Sequence, residues 1–216
     1  MGVKAASQRK DDYMEEKINQ TENKINKTKR YRTILADPPW KKNQTGVRGA
    51  SSHYFVMPTE QIKAMPIADL TEDNSHLYLW CPNGLLEDAL EVIKAWGFTY
   101  RSMLVWIKPK LGLGVCVRNA HETLLFATRG KCPVKFKAQP SWLFAPYQPP
   151  HSHKPEEIFS VIQRLSDGPY LELFARRRMP GWDIWGFEAP GGSDIIMPGG
   201  NYPVPKYSAK ALRESK

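Results

Sequence analysis

The sequence predicts an α/β fold built on a largely parallel β-sheet with helices on both faces. Short apolar segments typical of strands alternate along the chain with segments whose apolar residues recur at helical spacing. Pro and Gly separate many of these segments, as expected at turns. The chain has 216 residues, of which 41% are hydrophobic, so it is long enough for one domain with a buried core.

The predicted elements alternate between the two types in chain order. Strands are expected at 31–36, 76–81, 100–108, 122–129, 170–175 and 182–186, and helical segments at 59–65, 84–96 and 155–165. Pro155 suits the first position of the last helix, where its missing N–H costs nothing. Because ligands of such sheets bind beyond the carboxyl ends of the strands, chemistry is expected in the loops after residues 36, 81, 108 and 175.

The charge distribution divides the chain into a core and two flanks. Residues 1–30 predict a charged tail or loose helix, 31–190 the folded domain, and 191–216 a tail rich in Gly and Pro. The whole chain carries +9 and the core about +4, from nineteen basic and fifteen acidic side chains. Basic charge attracts phosphate backbones, but basic tails are as often simply solvated chain.

Cysteine usage indicates a reducing compartment. The three cysteines, Cys81, Cys116 and Cys132, are far apart and form no C-x-x-C pair, which favours reduced thiols. No apolar run approaches the length of about 20 residues that a membrane span requires. The expected location is the cytoplasm, or the nucleus if the source is eukaryotic. The histidines do not group at metal-ligand spacing, so no metal is predicted.

The first predicted strand runs directly into Asp37-Pro38-Pro39-Trp40. Two prolines fix the backbone and hold the preceding residues extended, which predicts a stiff turn with free carbonyl oxygens. A carboxylate and a fixed carbonyl can accept both hydrogens of an exocyclic amine and stabilise positive charge developing on it. The indole can stack on a base taken out of its helix. A plain proline-rich turn with an incidental acid and aromatic is the alternative.

This tetrapeptide and the segments downstream resemble those of the messenger-RNA-adenosine-methyltransferase-like group of adenine-N6 methyltransferases, in the permuted order called β class. The resemblance spans about 31–188, and the compact chain is most similar to bacterial and phage members. It implies a Rossmann-like class I methyltransferase fold and S-adenosylmethionine as methyl donor. It also implies that Asp37, Pro38, Pro39 and Trp40 are catalytic, with Asp37 near the cofactor as well.

The same resemblance suggests the cofactor-binding residues. SHKPEE opens the last predicted helix, where a lysine beside free N–H groups suits a carboxylate; Lys154 is expected to hold the methionine carboxylate, with Ser152 and His153 lining the site. LELFARR is similar to the first cofactor loop, which implies Glu172, Phe174 and Arg176. WDIWGFE resembles the segment near ribose and adenine, which implies that Phe187 and Glu188 bind the cofactor, although Phe187 replaces the usual Asn. Arg177 and Arg178 are equally well explained as surface charge or as phosphate contacts.

Two loops are expected to close on the substrate. The segment 41–57 is basic and polar, and Lys41, Lys42, Arg48 and Tyr54 are candidates for contacts with the nucleic acid. The segment 111–122 corresponds to a substrate loop of the family, which implies Arg118, Asn119 and His121. His121 is equally well explained as a structural residue at the start of a strand.

The sequence leaves the substrate and the assembly open. DNA is favoured over RNA because the compact chain resembles bacterial and phage members. An inactive nucleic-acid-binding subunit is the alternative from another class, although inactive relatives have an altered tetrapeptide and this one is intact. A homodimer, or a heterodimer with a related subunit, is also expected as a partner arrangement.

Overall fold

The computed structural model describes residues 29–41, 56–112, 116–146 and 153–199. Their centre is a seven-stranded sheet in the order β5-β3-β4-β2-β1-β6-β7. The strands are β1 Tyr31–Ala36, β2 Thr71–Cys81, β3 Thr99–Ile107, β4 His121–Arg129, β5 Trp142–Phe144, β6 Tyr170–Leu173 and β7 Trp182–Trp185. Among these strands only β4 runs against its neighbours, since the other pairings are parallel. The predicted, mostly parallel α/β sheet is confirmed.

Helices cover both faces of the sheet, as predicted. They are α1 Thr59–Lys63, α2 Ile67–Leu70, α3 Leu86–Ala95, preceded by a 3-10 turn at Asn83–Leu85, and α4 Glu157–Leu165. Side chains alternate across each strand, so Ile34 of β1 packs in one core with α1, α2 and α3. Leu35, its neighbour, packs in a second core with α4 on the opposite face. None of the helices in the described ranges is long and apolar enough to cross a membrane.

The structure differs from the predicted boundaries most clearly at β2, at α4 and at the C-terminal end of the domain. Strand β2 begins at Thr71, five residues earlier than expected. The polar residues that precede the apolar run belong to the strand as well, and Thr71 pairs with Tyr31 of β1. Helix α4 begins at Glu157, so Pro155 precedes the first turn instead of opening it. The described part of the predicted C-terminal tail, 191–199, belongs to the domain, since Ile195 and Met197 are only 7% and 4% exposed in the first core.

The carboxyl ends of the parallel strands meet at one edge of the sheet. Strands β1, β2, β3 and β6 end there at Ala36, Cys81, Ile107 and Leu173. The reversed strand β4 begins at the same edge, because His121 lies opposite Ile107. Residues before β4 and after the four parallel strands are therefore brought together, although they are far apart in the chain.

Candidate active site

The Asp37-Pro38-Pro39-Trp40 turn is held by backbone hydrogen bonds at the end of β1. The Trp40 amide donates to the Pro38 carbonyl at 2.8 Å, and the Met57 amide donates to the Pro39 carbonyl at 2.7 Å. The expectation that these carbonyls are free was therefore wrong. Each carbonyl oxygen has a second lone pair, so each can still accept one hydrogen bond from a ligand.

Trp40 lies in the core instead of presenting its ring to the site. Its side chain is 5% exposed and packs with the residues of α1 and α3. The indole N–H donates to the Trp80 carbonyl at 2.9 Å, which satisfies its one polar group. Little of the ring is left for the base that was expected to stack on it, so Trp40 contributes by fixing the turn that carries Asp37.

Asp37 forms ion pairs with two cations from distant segments. Its Oδ2 atom lies 2.6 Å from Nζ of Lys154 and 3.0 Å from a terminal nitrogen of Arg176. The Lys154 ammonium also lies 5.3 Å from the centre of the Trp80 ring, which is within cation–π range. These side chains are mostly buried, so their charges interact more strongly than surface charges do. The structure thus brings together three predicted residues from β1, the start of α4 and the end of β6.

Glu122, at the second position of β4, is a site residue that the sequence reasoning missed. Its Oε2 atom lies 3.4 Å from Nζ of Lys154, and Lys108 donates a short hydrogen bond to Oε1. Burial would raise its pKa, but Lys154 and Lys108 together outweigh burial and hold the pKa of Glu122 below its usual value. The only sequence signal was the position of Glu122 beside the predicted substrate residue His121.

A small cavity lies next to Asp37 between β1, β6 and the start of α4. Its lining consists of Leu35, Asp37, Trp80, His153, Lys154, Ile158, Phe159, Glu172, Phe174, Arg176 and Arg177. Six of the predicted cofactor residues are therefore neighbours in space: Asp37, His153, Lys154, Glu172, Phe174 and Arg176. Burial first, and then the cations Arg177 and Arg176, lower the pKa of His153 below its usual value.

Glu172 is an unsatisfied carboxyl group in this cavity. Its Oε2 atom is buried and has no hydrogen-bond partner among the described residues. Burial is the main cause that raises the pKa of Glu172 to about 7, and Asp37 adds to it, while Arg177, Arg176 and Lys154 oppose it. A buried carboxyl without a partner is costly, so this position suits a ligand that brings a cation or a donor.

The turn after β6 has an unusual backbone. Phe174 adopts a φ of 61°, in the left-handed region that favours glycine and that costs other residues free energy. Its ring packs edge-on against Trp185 at 5.4 Å. A Cβ atom at Gly186 would lie 2.7 Å from the amide nitrogen of Ala175, so only glycine allows the β7 end to approach this turn. Packing from outside the turn therefore supports the left-handed backbone of Phe174.

Arg177 and Arg178 are engaged within the protein. Arg177 donates to the Lys154 carbonyl at 2.5 Å and pairs with Glu156 at 3.0 Å, which ties the start of α4 to the turn after β6. Nη1 of Arg178 donates to both carboxylate oxygens of Asp194, while Nε and Nη2 donate to the carbonyls of Pro190 and Gly192. Both arginines therefore have partners within the protein, which neither expectation, surface charge or phosphate contact, had included.

The remaining predicted residues lie around this centre or outside the described ranges. Glu188 approaches Arg176, with its Oε2 atom 3.9 Å from Nε, whereas Phe187 packs against the first core. Asn119 accepts a hydrogen bond from Asn83 at 3.3 Å, while Lys41, Arg118 and His121 are exposed. The other predicted contacts, Lys42, Arg48, Tyr54 and Ser152, lie outside the described residues.

The donor set of the cavity suits S-adenosylmethionine, which carries a carboxylate, an ammonium and a sulfonium. Lys154 supplies an ammonium for the carboxylate, beside the imidazole ring of His153. Glu172 supplies a buried carboxyl group without a partner for a cationic part. The apolar lining from Leu35 and Phe174 suits the uncharged atoms. The residues present therefore match the chemistry of this group.

The fold and this site define a class I methyltransferase, with its acidic tetrapeptide at the end of a central strand. The chain matches MT-A70 over residues 31–188, and it therefore belongs to the MT-A70 family of adenine-N6 methyltransferases. Members of this family use S-adenosylmethionine.

Three relatives show how the similarity is distributed. The type II methyltransferase M.MunI of Mycoplasma sp is 26% identical over 184 residues, which cover 75% of this chain and 79% of that protein. The human N(6)-adenine-specific methyltransferase METTL4 is 29% identical over 222 residues, covering 87% and 43%. The human N(6)-adenosine-methyltransferase catalytic subunit METTL3 is 26% identical over 175 residues, covering 75% and 29%. The chain spans less than half the length of the two human relatives.

Proposed function

We propose that this protein transfers a methyl group from S-adenosylmethionine to N6 of adenine in DNA. The observation that carries the proposal is the position of Asp37, whose carboxylate ends β1 at the cavity and is paired there with Lys154 and Arg176. The substrate preference is supported by the similar length of M.MunI, of which the match covers 79%. The match to the adenosine methyltransferase METTL3 covers only 29% of that protein.

The side chain of Asp37 acts on the target amine. Its carboxylate accepts one hydrogen of N6, and the second lone pair of the Pro38 or Pro39 carbonyl accepts the other. These acceptors hold the amine in place and stabilise the positive charge that develops on nitrogen. S-adenosylmethionine, when bound, supplies a methyl group on a sulfonium, which needs no metal for activation. The adenine must leave its helix to reach a recessed carboxylate.

Lys154 is proposed to bind the carboxylate of the cofactor, and Glu172 is proposed to bind a cationic part of it. Lys154 donates to the carboxylate from a position fixed by Arg177, which binds the Lys154 carbonyl. Glu172 faces the same cavity from the middle of β6. The exposed cations Lys41 and Arg118 are proposed to contact phosphate near the target base.

Replacing Lys154 with alanine is expected to weaken S-adenosylmethionine binding about 10- to 100-fold, because a mostly buried charge-assisted hydrogen bond is lost. Calorimetry on the protein alone measures this without nucleic acid. The exposed Lys94→Ala on α3 is the matched control, since it removes the same charge far from the cavity. Unchanged affinity for Lys154→Ala would remove Lys154 from the cofactor site.

Replacing Glu172 with glutamine is expected to change the pH dependence of stability in the cofactor-free protein. Folding raises the pKa of Glu172 to about 7. The contribution of this group to the stability of the fold is therefore fully present below about pH 4.5 and is lost as pH rises through 7. The free energy of unfolding of the Gln variant, relative to that of the wild type, should therefore rise between pH 5 and pH 8, by at most about 3 kcal/mol. Urea unfolding at both pH values measures the gain, and a stability difference between the two proteins that is the same at pH 5 and pH 8 would contradict it.

Transfer of a labelled methyl group to three substrates tests the proposed function. Single-stranded DNA, duplex DNA and RNA of matched adenine-containing sequence are incubated with methyl-labelled S-adenosylmethionine, then digested to nucleosides. Label in N6-methyladenine from DNA is the expected result. Label in RNA alone would change the substrate to RNA, and no label in any substrate despite cofactor binding would indicate the inactive binding subunit.

A further inference from the structure

Lys154 is shared by two carboxylates that belong to different strands. Asp37 at the end of β1 holds its ammonium at 2.6 Å, and Glu122 at the start of β4 approaches it at 3.4 Å. The ammonium lies over the Trp80 ring, which projects from β2 between β1 and β4. Glu122 thus reaches the site from the far side of Lys154, and its own second oxygen is bound by Lys108.

The charges form a chain in which the sign alternates from one group to the next. Its members in order are Arg176, Asp37, Lys154, Glu122 and Lys108. An ammonium between two carboxylates is attracted by both, so each one weakens the other's hold on it. Glu122 is ionised at neutral pH, since Lys154 and Lys108 outweigh the effect of burial on its pKa.

We infer that Glu122 is a positioning residue for methyl transfer, which shares the Lys154 ammonium with Asp37 and so leaves the Asp37 carboxylate better able to accept hydrogen bonds from the target amine. The inference rests on the proposed function. Without the charge of Glu122, Asp37 alone would hold Lys154 and would be a poorer acceptor. Glu122 touches neither substrate nor cofactor in this account and acts through Lys154.

The same geometry has a second consequence for the cofactor. A ligand carboxylate bound at Lys154 would lie close to the negative charge of Glu122, which repels it. Removing that charge therefore strengthens binding of the carboxylate while it weakens catalysis. A residue with a purely structural role would not move these two quantities in opposite directions.

Glu122→Gln tests the inference, because glutamine keeps the shape and can still accept a hydrogen bond from Lys108. We expect kcat on adenine-containing DNA to fall about tenfold or more, while the calorimetric Kd for S-adenosylmethionine tightens two- to tenfold. The affinity for methylthioadenosine, which lacks the carboxylate, should stay within the error of the measurement. Glu122→Asp keeps the charge and should recover part of kcat. Glu91→Gln, an exposed charge change on α3, should match the wild type in every measurement.

Two kinds of result overturn the inference. A kcat within twofold of the wild type, or a Kd for S-adenosylmethionine that is unchanged or weaker, would show that Glu122 does not act through Lys154. If Glu122→Gln lowered both kcat and the melting temperature, and Glu122→Asp restored neither, Glu122 would have a structural role. If the wild type itself forms no N6-methyladenine, the proposed function fails, and the two calorimetric titrations still decide whether Glu122 opposes the carboxylate at Lys154.

Discussion

Asp37→Ala is expected to lower methyl transfer about 10³-fold while the protein stays folded. The variant loses the acceptor that orients the amine and stabilises charge on nitrogen, and loss of one such group in other enzymes costs about 10²–10³-fold in kcat. The fold should survive because the Asp37 side chain lies at the edge of the sheet, where its partners are Lys154 and Arg176. Initial rates under saturating cofactor, with circular dichroism of each variant, measure the effect.

Asp73→Ala is the control for this experiment, because Asp73 is exposed in the first part of β2, at the opposite edge of the sheet. It should retain wild-type turnover. Cofactor affinity of Asp37→Ala should change much less than turnover, since Lys154 remains available for the carboxylate. Turnover within tenfold of the wild type would show that the catalytic acceptor is another group.

Trp40→Ala is expected to destabilise the protein by about 3–5 kcal/mol, which is the usual range for removing a buried tryptophan. The variant loses a side chain that is 5% exposed and leaves the Trp80 carbonyl without its indole donor. In a domain of this size the melting temperature should fall by roughly 10 °C. Urea unfolding and a thermal melt measure the change, and Trp40→Phe should recover most of it.

Trp142→Ala provides the contrast, because Trp142 is 55% exposed on β5 and its removal should cost less than about 1 kcal/mol. If Trp40→Ala kept wild-type stability but lost affinity for single-stranded DNA, the ring would serve as a stacking surface. The packing of Trp40 would then not describe its role.

The sheet could be predicted from local patterns because its strands are short apolar runs between Pro and Gly. Strand β5 was missed since it has only three residues, and two of them, Trp142 and Phe144, are exposed. Strand β5 pairs with β3 because the fold places the two segments side by side. The sequence of β5 itself shows no alternation of apolar and polar residues. The early start of β2 was missed for a similar reason, because polar residues there pair with β1 and β4.

The candidate site was predicted in part. Asp37 and Lys154 stand in recognisable motifs, and the structure brings their side chains into contact. The role of Glu122 depends on a distance between strands that are separated in the chain, and no local motif encodes that distance. The burial of Trp40 likewise depends on α1 and α3, which pack over the tetrapeptide from elsewhere in the sequence.

The most direct test of the central claim is the identity of the methylated nucleoside. Wild-type protein and Asp37→Ala are incubated with S-adenosylmethionine and adenine-containing DNA, and the digested nucleosides are resolved by mass spectrometry. The account predicts N6-methyladenine as the product of the wild type and its loss in Asp37→Ala. Methylated cytosine as the product, or N6-methyladenine formed equally by both proteins, would contradict it.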